Sequence, residues 1–229
     1  MVPSEVKRDG GDLYRRIVAD VAAGRIRPGE RLGENSLAAR LGESRGAVRE
    51  AMTRLEQDGV VVREDNVGSF IRRIEDDELL EIYDVRIALE PLVAIRLAQV
   101  ASGADLEALD RLARQIDRPT PPSADRDVLD NAFHQTMIDR SGLKHIARLM
   151  RIGNLHVRCS ALHQKIILSR AQAGGPIARP DHRTIVKALR TRDPDKAGST
   201  VAEHLRAARK NTVAEIERIK TFMAVLENS

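Results

Sequence analysis

The 229-residue chain has no tryptophan, two tyrosines and three phenylalanines. Its core must therefore be filled by Leu, Ile, Val and Ala, a palette that suits packed helices better than a β-sandwich. The single cysteine, Cys159, excludes an internal disulfide and fits a reducing cytosol, so a cytoplasmic location is expected. The opening stretch MVPSEVKRDGGDLYRR lacks the apolar run that a signal peptide needs. No stretch of about 18 uncharged apolar residues occurs, which predicts no membrane span. An excess of one charge is missing too: 38 basic residues stand against 34 acidic ones. Residues 1–74 carry 14 Lys and Arg against 12 Asp and Glu, and the remainder 24 against 22. Bulk charge gives no reason to expect nucleic acid, so any such conclusion must come from where charges are placed.

What is present is a strongly patterned N-terminal third. Leu13, Ile17, Val18 and Val21 form one helical stripe in GDLYRRIVADVAA. The punctuation of GRIRPGERL ends that helix, and ENSLAARLG predicts a short second one closed by Gly42. Ser44 is placed to cap a third helix, SRGAVREAMTRLEQDG. VVVRE and SFIRRI then read as two strands of a hairpin around Asp65-Asn66-Val67-Gly68. Three helices and a hairpin make a winged helix-turn-helix, expected over residues 1–74. At about 100° per residue, the third helix has Ala47, Val48, Ala51, Met52 and Leu55 on one side. Arg45, Gly46, Arg49, Glu50 and Thr53 fall on the other. On an isolated helix such an arginine pair is ordinarily solvated surface. On the second helix of a helix-turn-helix its first turn enters the major groove, where arginine bonds guanine or phosphate.

The run GRIRPGERLGENSLAARLGESRGAVREAMTRLEQDGVV, followed by NVGSFI, resembles the DNA-binding domain of the GntR family of bacterial transcription regulators. The resemblance covers about residues 10–73, with the PGERL turn, the LAARLG helix and SRxxVREAxxRLExxG in order. It implies that Arg45 and Arg49 contact double-stranded operator DNA and that Gly68 is the wing glycine near the minor groove. Three positions depart from the family pattern. Asn35 stands where many relatives have a DNA-touching arginine, Gly46 replaces a common threonine, and Val67 replaces a common wing arginine.

From Glu75 onward the pattern is helical almost throughout, and residues 75–229 predict an all-α bundle of about six helices. A long helix carries DDELLEIYDVRIALEPLVAIRLAQVA, with a bend expected at Pro91. GADLEALDRLARQID, DVLDNAFHQTMIDRS, a helix from Leu143 to about Arg170, HRTIVKALRTR and a last helix starting at Asp193-Pro194 complete it. Six histidines are present, and any one alone is ordinarily surface or packing. Asp130 and His134, however, share a helix face by their i, i+4 spacing. His182 opens the next-to-last helix and His204 lies in the last. Three inward-facing helices could bring all four side chains to one point, a set that suits Zn, Ni, Mn or Fe.

IYDVRIALEPLVAIRLA, DNAFHQTM, PDHRTIVKALRTRDPDKA and EHL resemble the FCD ligand-binding domain of the FadR branch of that family, over about residues 78–222. This implies that Asp130, His134, His182 and His204 ligate one divalent cation with positions left for an effector carboxylate. Arg86 matches a position facing the effector cavity, with a solvated or ion-paired arginine as the alternative. Branch members that bind acyl-CoA lack the metal set, so its presence argues against a fatty-acyl effector. A homodimer controlled by a small organic acid, and acting as a repressor, is the reading that follows. The rival from another class is a metal-dependent enzyme, since three histidines and an aspartate could activate water. No HExxH or similar motif supplies an adjacent general base, which favours the regulator. Architectural DNA binding would leave the metal cavity idle.

Overall fold

The computed structural model describes residues 10–22, 25–73, 75–118, 124–152 and 181–227. Helix α1 (Gly10–Ala22) buries Leu13, Ile17 and Val21, the i, i+4 stripe of its sequence. Strand β1 (Arg31–Leu32), helix α2 (Glu34–Leu41), helix α3 (Arg45–Gln57) and strands β2 (Val61–Glu64) and β3 (Gly68–Ile71) follow. Val48, Ala51, Met52 and Leu55 of α3 pack with α1, Leu37 of α2 and Val61 and Ile71 of the sheet into one core. The hairpin lies where its turn residues place it, with Asn66 at φ 61, a conformation asparagine tolerates better than most residues. The sheet also has a strand that periodicity did not disclose. β1 pairs antiparallel with β3, Arg31 opposite Phe70 and Leu32 opposite Ser69, giving the order β1-β3-β2. Two residues are too few to leave an alternating pattern.

The rest is helical: α4 (Asp76–Val100), α5 (Gly103–Ile116), α6 (Ala124–Ser141), α7 (Lys144–Ile152), α8 (His182–Arg190) and α9 (Pro194–Glu227). α4 continues through Pro91 without ending there. Its buried positions Leu79, Tyr83, Arg86, Glu90, Val93 and Leu97 recur at helical spacing, so two charged residues sit within an otherwise apolar stripe. Ser102 and Asp105 close a capping box at the start of α5, and Asp193 accepts a hydrogen bond from the Lys196 backbone at the start of α9. α9 runs along α4, and Gly198 makes the approach possible: a Cβ there would lie 2.8 Å from Ile95 Cγ1. Leu109 and Ile116 of α5, Phe133 and Met137 of α6, Leu189 of α8 and Val201 of α9 meet in a second core. The helix expected from Leu143 to about Arg170 is α7 as far as Ile152, and its remainder lies outside the described residues. This arrangement is mainly α, a winged helix-turn-helix followed by an all-α bundle.

Candidate functional site

Gly42 ends α2 at φ 67, and its N–H bonds back to Ala38. Ser44 then starts α3, its hydroxyl oxygen accepting from Ala47 N at 3.2 Å. With Val48, Ala51, Met52 and Leu55 inward, Arg45, Gly46, Arg49, Glu50 and Thr53 are exposed. The two arginines differ in their surroundings. Arg49 Nη2 lies 3.2 Å from Glu34 Oε2, at the first position of α2. Arg45 has no ion pair among the described residues. Asn35 is exposed one position beyond Glu34. At the wing, Gly68 has φ 138, and a Cβ there would lie 2.9 Å from Arg31 Nε. The absent side chain thus makes room for a guanidinium from β1. Val67 beside it is half exposed.

The second constellation is buried. His134 from the middle of α6, His182 from the first position of α8 and His204 from α9 each offer one ligand atom, all within 4.8 Å of one another. Their rings meet edge to face or tilted, with centroids 4.6 to 5.6 Å apart. Phe133 lies edge-on to both His134 and His182 and closes one side. Asp130, one turn before His134, joins the group through His182: its Oδ1 is 2.9 Å from His182 Nε2.

Two carboxylates hold the outer nitrogens. Glu90 Oε2 is 2.6 Å from His134 Nδ1, and Glu90 Oε1 accepts from Arg86 Nε at 2.6 Å. Asp117, which caps the C-terminus of α5, lies 3.3 Å from His182 Nδ1 and also accepts from the Arg183 backbone N–H at 3.0 Å. Since an ionised carboxylate only accepts, Nδ1 of His134 is the donor to Glu90, and Nε2 is the nitrogen left to face a cation. Imidazoles whose far nitrogen is held by a carboxylate are the usual form of a metal-ligating histidine. His204 Nδ1 is buried with no hydrogen-bond partner among the described residues. A buried, unsatisfied nitrogen in a cluster of imidazoles fits a cation acceptor rather than packing. The residue types and their placement therefore fit a metal.

Without a cation, the same carboxylates set the charge state of the cluster. Desolvation opposes charge on His182, but hydrogen bonds and charge from Asp117 and Asp130 outweigh it and raise the imidazole to about 9. His204 is desolvated and faces two imidazoles, and it is pushed down to about 2. Desolvation also opposes ionisation of Asp130. The close contact with His182 and the charges of His182, His134 and Arg86 prevail and hold its carboxyl well below the usual range.

Of the four expected ligands, the three histidines are gathered within ligand distance of one another, while Asp130 stands outside that set, against His182 Nε2; Glu90 and Asp117 were not among the expected residues. Glu90 had a signal: with Arg86 it occupies the inward stripe of α4 at i, i+4. Asp117 had none, because its partner lies 65 residues away.

An FCD-domain family model matches residues 81–226, and the model of bacterial regulatory proteins of the gntR family matches residues 10–71. The chain belongs to the GntR family. Among its GntR-type relatives, the HTH-type transcriptional regulator YdhC of Bacillus subtilis is 29% identical over 198 residues, covering 84% of this chain and 85% of its own. The probable D-xylose utilization operon transcriptional repressor of Paenarthrobacter nicotinovorans is 30% identical over 201 residues, 83% of either chain. The solved structure of E. coli McbR/YncC superposes with a TM-score of 0.69, covering 91% of this chain and 97% of that one at 18% identity. A likeness at that identity speaks for the fold alone. GntR-type regulators act by binding DNA, so the chain is a DNA-binding transcriptional regulator and not an enzyme. Among the described residues no helix is long and apolar enough to cross a membrane.

Proposed function

We propose that the chain is a homodimeric repressor whose operator affinity is set by a small organic acid bound at a divalent metal in its C-terminal domain. Residues 1–74 form the DNA-binding part and residues 75–229 the effector-binding and dimerising part. Arg45 and Arg49 contact the operator from α3, with Gly46, Asn35 and Gly68 allowing or extending the approach. His134, His182, His204 and Asp130 hold the cation, which is Zn, Ni or Mn by its ligand chemistry. The observation that carries this reading is the convergence of three buried imidazoles from α6, α8 and α9, with two outer nitrogens secured by carboxylates. A divalent cation there supplies positive charge and open coordination positions. Counting direct ligands alone, three neutral imidazoles and Asp130 leave a divalent cation with one positive charge, which an anion at the open positions can meet. Arg86, buried at the same site, acts on Asp130 and His204 through its charge, and its pairing with Glu90 offsets that carboxylate. Repression is supported by a relative named as a repressor.

The ligand controls DNA affinity only if it binds one arrangement of the two parts better than the other. A tenfold preference corresponds to about 1.4 kcal/mol of coupling. The test is His134→Ala combined with His182→Ala, followed by metal analysis and operator binding across a panel of sugar acids and hydroxy acids. The double variant should lose its metal and its response to acid together. Full metal occupancy in it would rule out the site. Loss of metal with an intact acid response would make the metal structural and place the effector elsewhere.

A further inference from the structure

We infer that Glu90 is a positioning residue that aims His134 at the metal and ties the metal site to α4, the helix entered from the winged unit. This rests on the metal reading above. Glu90 is 1% exposed and does not belong to the cluster of ligand atoms. One of its oxygens takes the Arg86 Nε–H and the other faces His134 Nδ1, each at 2.6 Å. A carboxylate this deep is costly to bury, and two short charge-assisted contacts are what make it tolerable. Its second oxygen fixes the tautomer and ring plane of His134, leaving Nε2 turned to the cation.

The position of Glu90 gives this contact a second consequence. Glu90 and Arg86 stand on α4, whereas the three histidines stand on α6, α8 and α9. Glu78 in the first turn of α4 pairs at 3.0 Å with Arg72, the residue directly after β3. Glu90 lies 12 positions beyond Glu78, or about 18 Å along a straight helix. Two short bonds and one rigid helix thus connect His134 to the joint with the wing. α6, which carries His134, also touches α1 directly, so the Glu90 contact gives the site a second connection to the DNA-binding unit, through α4.

Zinc affinity of the full chain, measured by competition with a chromophoric chelator, tests this in wild type, Glu90→Gln, His134→Ala and the combination of both. Glu90→Gln should weaken zinc binding about 10- to 100-fold, the range for loss of a ligand-orienting partner. In the His134→Ala background the same substitution should add nothing, because its effect passes through His134. Leaving Arg86 buried beside a neutral amide endangers the fold. Arg86→Met combined with Glu90→Leu removes the pair without leaving a lone charge and should show the same zinc loss. Unchanged zinc affinity in a folded Glu90 variant overturns the inference. Equal losses with and without His134 also overturn it, since Glu90 would then be acting on the fold. Wild-type zinc affinity in His134→Ala overturns the metal reading itself, and this one with it.

Discussion

Arg49 and Arg45 share one face of α3, yet among the described residues only Arg49 has a carboxylate, Glu34, at 3.2 Å. An exposed pair of this kind is worth about 0–1 kcal/mol, less than the roughly 1–3 kcal/mol of a good bidentate base contact. If α3 meets the operator as proposed, DNA would displace Glu34 at a small cost. Glu34→Gln should strengthen operator binding by a few-fold, read by fluorescence anisotropy, because it frees Arg49 and removes a negative charge facing phosphate. Arg45→Ala and Arg49→Ala should each weaken binding by about 1–3 kcal/mol, in a sequence-dependent way if the contact is to a base. Unchanged binding in both would remove the recognition role from α3. His182 makes a prediction of another kind. Its folded value of about 9 lies above the ordinary 6.5, so folding favours the proton. In metal-free protein that stabilisation is complete below about pH 6.5 and is lost as pH rises through about 9. His204, held near 2, works in the opposite sense and costs stability only as pH falls below its ordinary 6.5. With a chelator present, the melting temperature should fall between about pH 6.5 and 9, and His182→Gln should flatten that slope. A flat profile in the unsubstituted protein would contradict the raised imidazole.

Elements carry these side chains to their places through their ends as much as their faces. His182 reaches the site because α8 begins there, with Asp181 and Asp117 both accepting from the Arg183 N–H. Two carboxylates at one helix start share that site: the hydrogen bond with Asp117 raises Asp181, while the hydrogen bond from His182 helps lower Asp117 against its desolvation. At α3 the cap is Ser44, exposed and bonded to Ala47 N. Ser44→Ala should cost about 0.5–2 kcal/mol in denaturant unfolding. It should also weaken DNA binding, because the frayed turn is the one that carries Arg45. A loss of stability with full operator affinity would show that the first turn of α3 is not at the DNA.

At the scale of the whole molecule, two separate cores are linked by the chain between β3 and α4 and by contact of α1 with α6. One winged helix reads only a few base pairs, and two-fold pairing is the common means of lengthening that footprint. A homodimer on a pseudo-palindromic operator is expected, with the helical part as the pairing surface. Sedimentation equilibrium with and without operator DNA checks this. A monomer that protects a single asymmetric half-site would contradict it. Binding should also weaken steeply with salt, since phosphate contacts release counterions.

Much of this protein was decided by local sequence. The stripe of α1, the Gly42 and Ser44 ends of α2 and α3, the hairpin turn and the Asp193-Pro194 start of α9 each follow from conformational preferences within a few residues. So does the outward face of α3, since helical spacing alone separates Arg45 and Arg49 from Val48 and Leu55. Candidate ligands were also legible, because Asp130 and His134 lie one turn apart. Contacts between distant segments were left to the tertiary fold. β1 became a strand only because β3 lay beside it, as two residues have no periodicity of their own. Glu90 and Asp117 became partners of His134 and His182 across 44 and 65 residues, separations at which no local preference acts. The metal-fitting cluster is of the same kind. Its three imidazoles come from three helices, and only the packing of α6, α8 and α9 around one core could bring their nitrogens within 4.8 Å.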